Sequence, residues 1–206
     1  RERGMTLFRV VVGDTGPVLR GERVTLRVPI MADYSNWAEI RDESRGFLRP
    51  WEPTWPIDDL TRPAFRRRIK RYQREMQEDA GYPFFVFRND NDRLIGGVTL
   101  SHVRRGVTQS CALGYWMGER YAGQGFMSEA VGAVIPFVFD NLKLHRLEAA
   151  SMPANTRSIR LLENVGFTRE GFARRYLLID GRWQDHVLFA MLGDDPRPAR
   201  QKATGG

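Results

Sequence analysis

Apolar and polar positions along this chain follow two periods, one of about two residues and one of about 3.6. Phe84-Phe-Val-Phe87 and Leu94-Ile-Gly-Gly-Val-Thr-Leu100 are short, dense apolar runs on either side of Asn89-Asp-Asn-Asp92, and they read as a hairpin. Further strand-like stretches lie at 7–12, 18–28, Gln109–Met117 and Arg146–Met152. Helical spacing takes over between them. Phe65, Ile69, Tyr72 and Met76 fall on one face of a segment that Pro63 can open and Gly81 can close. Met127 to Asn141 repeats Ala, Val, Ile and Phe at helical intervals, with Pro136 inside to kink or distort it. Asp33 can cap a short helix through Trp37 to about Asp42, and a further helix runs from Thr156 to Asn164 with Gly166 as its stop. Gly46 to Asp59 is an aromatic loop. Phe167–Ile179 and Trp183–Leu192 then flank Asp180-Gly181, a tight-hairpin signal. No repeat or domain boundary interrupts this order, which calls for one α/β domain on a mixed sheet.

Composition narrows the class. With 206 residues, 42% of them hydrophobic, the chain can bury a full core and is not a disordered protein. No apolar run approaches the ~18–20 residues of a membrane-spanning helix, and the charged start lacks the apolar segment of a secretory signal. The chain opens on Arg1, and Met5 is a candidate start. Cys111, the single cysteine, reads as a buried structural thiol, and its isolation points to a reducing cytoplasm. His102 and His145 read as surface residues and His186 as a satisfied structural imidazole within the last strand; none has metal-ligand spacing, so no metal is expected. A Ser–His–Asp system lacks its nucleophile elbow. The net charge of +7 gathers in Arg66–Arg74, either as a solvated helix face or as an attractor for RNA, CoA phosphates or a ribosome surface; no aromatic-interleaved motif supports base reading.

Two segments carry candidate chemistry. Arg120-x-x-Gly123-x-Gly125 follows a strand and opens the Met127 helix, laying several backbone N–H groups at a positive helix end, which suits an anion such as a pyrophosphate. The lysine and hydroxyl of a nucleoside-triphosphate loop are missing, and so is the six-residue dinucleotide fingerprint. The second segment is Asn155-Thr-Arg-Ser158, where Asn155 can act as an N-cap accepting from the N–H of Ser158 or its neighbour. Both side chains lie at the carboxyl end of a strand expected to neighbour the Cys111–Met117 strand, so they face the same cleft as the glycine loop.

Together these segments resemble the GNAT acetyltransferases, and within that family the RimJ-like ribosomal-protein-alanine N-acetyltransferases. Pro153-x-Asn155-x-x-Ser158, Gly166-Phe167-x-x-Glu170-Gly171, Tyr176-Leu-Leu-Ile-Asp-Gly-Arg-Trp-x-Asp-His-Val187 and Leu48-x-Pro50-Trp51-Glu52-Pro53 carry the likeness, which spans roughly 22–192. Pro136 is not expected from relatives. The resemblance implies an α/β (α+β) fold: a mixed, largely antiparallel sheet with a splayed parallel central pair and about four helices, between an extension at 1–21 with room for an extra strand and a tail at 193–206.

It also implies acetyl-CoA as co-substrate. Backbone N–H groups of Arg120, Gly123, Gln124, Gly125, Phe126 and Met127 would hold its pyrophosphate, and Tyr115, Trp116 and Met117 would pair with pantetheine as an added strand. Asn155 would bond a pantetheine amide, and Ser158 would protonate the departing thiolate. The implied acceptor is the N-terminal α-amine of an Ala- or Ser-starting ribosomal protein. Such an amine has a pKa near 7.7–8.0 and needs only a mild base, for which Glu52 stands first and Tyr176 second, as a base relay or a positioning hydroxyl. An N–H near Trp116 or Met117 would stabilise the oxyanion. The expected setting is cytoplasmic, without membrane contact, as a monomer or homodimer on a protein N-terminus or the ribosome. Two alternatives stand beside this reading: a GNAT enzyme acting on a small-molecule amine, and a basic ribosome- or RNA-associated factor with vestigial CoA binding.

Overall fold

The protein was analysed as a computed structural model, which describes residues 11–13 and 16–197. Its strands are β1 (Val11–Gly13), β2 (Gly16–Arg20), β3 (Val24–Arg27), β4 (Tyr82–Arg88), β5 (Leu94–Arg104), β6 (Ser110–Met117), β7 (Arg146–Ser151), β8 (Thr168–Ile179) and β9 (Arg182–Leu192). They form one sheet in the order β1-β2-β3-β4-β5-β6-β7-β9-β8, in which β6 and β7 are the parallel pair. The helices are α1 (Tyr34–Glu43), α2 (Arg45–Leu48), α3 (Arg62–Gln77), α4 (Phe126–Pro136) and α5 (Thr156–Asn164), so there are five among the described residues rather than about four, α2 being a single turn.

Alternation along β4 divides the core into two layers. Phe85 meets Phe65 of α3 and stands edge-on to Trp116, each with ring centroids 6.3 Å apart, while Trp37 of α1 packs on Phe65 at 4.8 Å. Its neighbour Phe84 points the other way, edge-on to Phe137 beyond α4 at 5.5 Å. Thus α1 and α3 cover one face and α4 with its extension the other.

Several expected boundaries move. The stretch 18–28 is two strands, because Gly21 N–H bonds back to Val24 C=O and reverses the chain; Glu129 of α4 accepts the Arg23 N–H at that corner. The stretch 7–12 is described only from Val11, within β1, and 7–10 lie outside the described residues. Asp33 stands at the N-cap of α1, but its carboxylate does not cap the helix. Arg27 takes both oxygens, at 2.9 and 2.6 Å, and the Ile30 N–H a further bond at 2.9 Å. α3 is closed by Asp79, which takes the left-handed conformation (φ 51°), rather than by Gly81. Pro136 has no N–H to continue the helix, and beyond it Phe137–Asn141 widens into a π-turn, with Leu142 N–H on Phe137 C=O at 2.9 Å. The hairpin at Asp180-Gly181 stands as expected, both residues at positive φ (43° and 75°).

The feature that positions the site is the short reach of the parallel pairing. It runs from Ser110↔Arg146 to Leu113↔Ala149 and stops, while β6 stays paired with β5 through Met117 and β7 stays with β9 through Ser151. The sheet therefore splits at its centre, and Gly114–Met117 keeps one backbone edge unpaired.

Close packing of β5 on β6 sets the height of that edge. A Cβ at Gly96 would lie 2.5 Å from the Trp116 carbonyl oxygen and 3.3 Å from the Met117 Cα, both backbone atoms. Gly96→Ala is therefore expected to cost about 1–3 kcal/mol, read as a lower urea midpoint with an unchanged slope. An unchanged midpoint would show that β6 can move away freely.

Candidate active site

The split sheet opens into a cleft of about 990 Å³. The open edge of β6 forms its floor, the loop before α4 and the first turn of α5 enclose one end, and the Phe47–Glu52 segment with Leu177, Ile179 and His186 encloses the other.

At the first end, Gly123 and Gly125 both take positive φ (73° and 82°), and Gly125 is the N-cap of α4 with no side chain to occupy its first-turn N–H groups. Gln124 Nε2 donates to the Arg120 carbonyl at 2.8 Å, and Arg23 Nη1 donates to the Gln124 carbonyl at 3.2 Å, which fixes the turn. The Arg120 guanidinium pairs with Glu43. Gly123, Gly125, Phe126 and Met127 line the cleft; Arg120 and Gln124 do not, so the loop offers backbone rather than a cationic side chain. Such an end can hold an anion.

Along the floor, Tyr115, Trp116 and Met117 line the cleft beside Asn155 and Ser158. Asn155 Oδ1 accepts the Ser158 N–H at 3.2 Å, as the N-cap reading expects, and this leaves its NH2 end for a ligand. The Ser158 and Tyr115 hydroxyls lie 2.7 Å apart. Burial pushes the Tyr115 phenol up to about 12, against the opposing effect of the Ser158 hydrogen bond, so it keeps its proton at neutral pH.

The other end rests on one ion pair. Arg41, 6% exposed, gives Nη1 and Nη2 to Glu52 at 2.8 and 2.6 Å, and Trp55 Nε1 donates to the same carboxylate at 2.7 Å. The Arg41 guanidinium also lies 4.2 Å from the centre of the Trp55 ring and 4.9 Å from that of Trp116. Asp180 N–H bonds the Glu52 carbonyl at 2.9 Å, and Arg49 pairs with the Asp180 carboxylate at 3.1 Å, so the β8–β9 tip is tied to the same loop. Glu52 lines the cleft with both oxygens already in charge-assisted bonds. Tyr176 is 48% exposed and lies outside the cleft lining, its ring edge-to-face with His186 at 5.8 Å.

His186, read from the sequence as a satisfied structural imidazole, also faces the cleft. It is 3% exposed, lines the cleft, and its Nδ1 lies 3.0 Å from the Gln184 carbonyl. A carbonyl only accepts, so Nδ1 carries a hydrogen, and the tautomer this contact selects has its lone pair on Nε2. Its register with Ala173 places it on the cleft face with Leu177 and Ile179, but β8 slips twice against β9, at 169–171 and 173–177. Cys111 is 1% exposed in β6, and burial pushes its thiol up to about 12, which keeps it inert.

Residues 23–168 match the family model of the acetyltransferase (GNAT) domain. The chain belongs to the GNAT acetyltransferases. This GNAT enzyme is 36% identical over 182 residues to the [ribosomal protein uS5]-alanine N-acetyltransferase of Escherichia coli, covering 88% of this chain and 94% of that protein. It is 37% identical over 178 residues to the probable N-acetyltransferase YjcK of Bacillus subtilis, covering 86% and 98%. Its fold matches the ribosomal-protein-S5-alanine acetyltransferase of Vibrio fischeri with a TM-score of 0.81 at 30% identity, covering 88% and 99%. The Mycobacterium smegmatis RimJ in complex with CoA-disulfide gives 0.78 at 31% identity, covering 82% and 81%. Among the described residues of this acetyltransferase no group of three His, Cys, Asp or Glu side chains could hold a metal ion, and no helix is long and apolar enough to cross a membrane.

The Tyr115 phenol makes the site sensitive to alkali with a definite sign. Its pKa rises from 10.0 to about 12 in the folded protein, so the unfolded chain loses the proton first. The associated stability is present below pH 10 and is lost as pH climbs toward 12. Tyr115→Phe is expected to lessen the fall in Tm between pH 9 and 11; an identical fall in both proteins would contradict this burial.

Proposed function

We propose that this acetyltransferase transfers the acetyl group of acetyl-CoA to the N-terminal α-amine of a protein, with an Ala- or Ser-starting ribosomal protein as the substrate class. The observation that carries the reading is the chemistry of the acceptor end. It is lined by Phe47, Leu48, Pro50, Trp51, Leu177 and Ile179, and its single carboxylate, Glu52, is neutralised by Arg41. A polyamine or an aminoglycoside would call for unpaired carboxylates there, whereas a chain terminus bearing a small apolar side chain suits aromatic and aliphatic walls. The naming of relatives as ribosomal-protein-alanine acetyltransferases supports the same substrate class.

Bound acetyl-CoA would supply the thioester carbonyl. The residues present fit such a donor: two left-handed glycines form an uncapped cradle, and the unpaired edge of Gly114–Met117 offers a strand's worth of hydrogen bonds. In this assignment the loop N–H groups and the α4 terminus bind the pyrophosphate, and the Asn155 amide and the β6 edge orient the pantetheine. An N–H near Trp116 or Met117 faces the developing oxyanion.

A peptide α-amine with a pKa near 7.7–8.0 is roughly a tenth neutral at pH 7, so only a weak base is needed. We assign that base to His186 through Nε2, because Glu52 is committed to Arg41 and Trp55. As the new C–N bond forms and the C–S bond breaks, His186 takes the proton of the attacking amine. The Ser158 hydroxyl, 2.7 Å from that of Tyr115, gives a proton to the sulfur and recovers it from solvent. Glu52 then serves to hold Arg41 and Trp55 in place.

Mass spectrometry of a peptide panel and of purified ribosomal proteins incubated with acetyl-CoA is expected to show α-amine acetylation concentrated on Ala and Ser termini. Acetylation of lysines alone, or only of small amines, would refute the acceptor. His186→Gln is expected to lower kcat/KM on an Ala-starting peptide by about 10–100-fold, with its acid limb displaced and the affinity for CoA unchanged. An unaltered pH profile would remove His186 from the mechanism. Asn155→Ala and Ser158→Ala are expected to lower turnover about tenfold each; unchanged turnover would discard the donor-side assignment.

A further inference from the structure

The outward face of α3 is the largest concentration of charge that the transfer reaction does not use. The helix carries arginines at 62, 66, 67, 68, 71 and 74 and a lysine at 70, and Phe65, Ile69 and Tyr72 face the core. Folding sorts these cations into two groups. Arg67 and Arg68 reach back to Asp58 and Asp59 at 2.6 and 2.8 Å, and Arg71 pairs with Glu75 at 3.5 Å. Arg62, Arg66, Lys70 and Arg74 are exposed, and none of them makes an ion pair among the described residues. Those four are spaced i, i+4, i+8 and i+12, so they form one continuous row at about 6 Å per step.

We propose that this row binds the phosphate backbone of RNA. An evenly stepped line of unpaired cations matches a regular line of phosphates, close to the spacing of successive phosphates along a strand. Arginine, three of the four, suits phosphate oxygens through its planar fork. An acidic protein surface fits less well, because a protein interface is centred on buried apolar or aromatic anchors. Here the exposed neighbours of the row on α3 are Pro63, Arg67, Arg71, Gln73 and Gln77, with Glu78 just past its end, and the aromatic rings of α3 are turned inward. Like charges at i, i+4 also weaken a helix, so the row works against the stability of the element that carries it. No base-reading side chain accompanies it, so the contact is to backbone and independent of sequence. None of the α3 residues lines the cleft, so RNA and a free peptide substrate can be bound together. The inference goes beyond the proposed transfer and does not depend on it.

The test is fluorescence anisotropy of the full chain with a labelled mixed-sequence single-stranded RNA of about 20 nucleotides, at several salt concentrations. Four phosphate contacts predict a slope of log K against log salt of about −3. The variant Arg62→Gln/Arg66→Gln/Lys70→Gln/Arg74→Gln is expected to bind at least tenfold more weakly and to lose most of that slope. Arg62→Lys/Arg66→Lys/Arg74→Lys is expected to keep both. Acetylation of a short free peptide should be the same in all three proteins, which also reports that the variants are folded. Should the fourfold change impair folding, Arg66→Gln/Arg74→Gln is expected to lose about half of the slope. Absence of RNA binding at about 50 mM salt, or equal binding by the neutralised variant, would overturn the proposal. So would polyglutamate binding the row as tightly as RNA, which would mark an acidic protein as its partner.

Discussion

The whole site depends on two adjacent strands parting company. β6 leaves β7 past Leu113 and stays with β5 through Met117, while β7 stays with β9 through Ser151. The molecule is therefore two half-sheets joined by four paired positions, and the wedge between them contains backbone groups with no strand to satisfy them. A groove with an unpaired strand edge is a place where an extended, amide-bearing molecule can lie as a further strand. The same parting brings α4 and α5 to the two sides of one opening, so that Gly125 and Asn155, thirty residues apart in sequence, become opposite walls.

The acceptor end is organised by a second constraint, the burial of Arg41. A guanidinium 6% exposed between two indoles needs a counter-charge, and Glu52 supplies it with both oxygens. That pair draws the aromatic loop down onto Trp116, and Asp180 at the β8–β9 tip fastens it from the far side through the Glu52 carbonyl. The carboxylate is thus held in place by its partners, and in the proposed mechanism the proton chemistry falls to His186 and to the Tyr115–Ser158 pair. Trp116 also lines the cleft, and its indole is so closely packed that a Cβ at Gly97 would lie 2.4 Å from its Nε1.

Features governed by local chemistry were legible in the sequence. The Asn155 cap, the start of α5 at Thr156, the Asp180-Gly181 turn and the glycines opening α4 each need only near neighbours, and each stands as expected. Features governed by distant partners were not. The corner at Gly21–Arg23 is completed by Glu129, the Asp33 carboxylate goes to Arg27, and the Glu52 carboxylate goes to Arg41. His186 was read from the sequence as a structural imidazole, and only the fold shows that it lines the cleft. The geometry of the two motif segments was legible because it is built from backbone and caps. The acceptor side is built from long-range ion pairs and packing, and only the fold brings those together.

The central claim, that the unpaired edge of β6 receives the donor as an added strand, is most directly tested by amide hydrogen exchange with and without saturating acetyl-CoA. The expected result is slowed exchange across Gly114–Met117 and at the α4 N-terminus, with Ser110–Leu113, already paired with β7, unchanged. Exchange at Gly114–Met117 that is the same with and without acetyl-CoA would contradict the account.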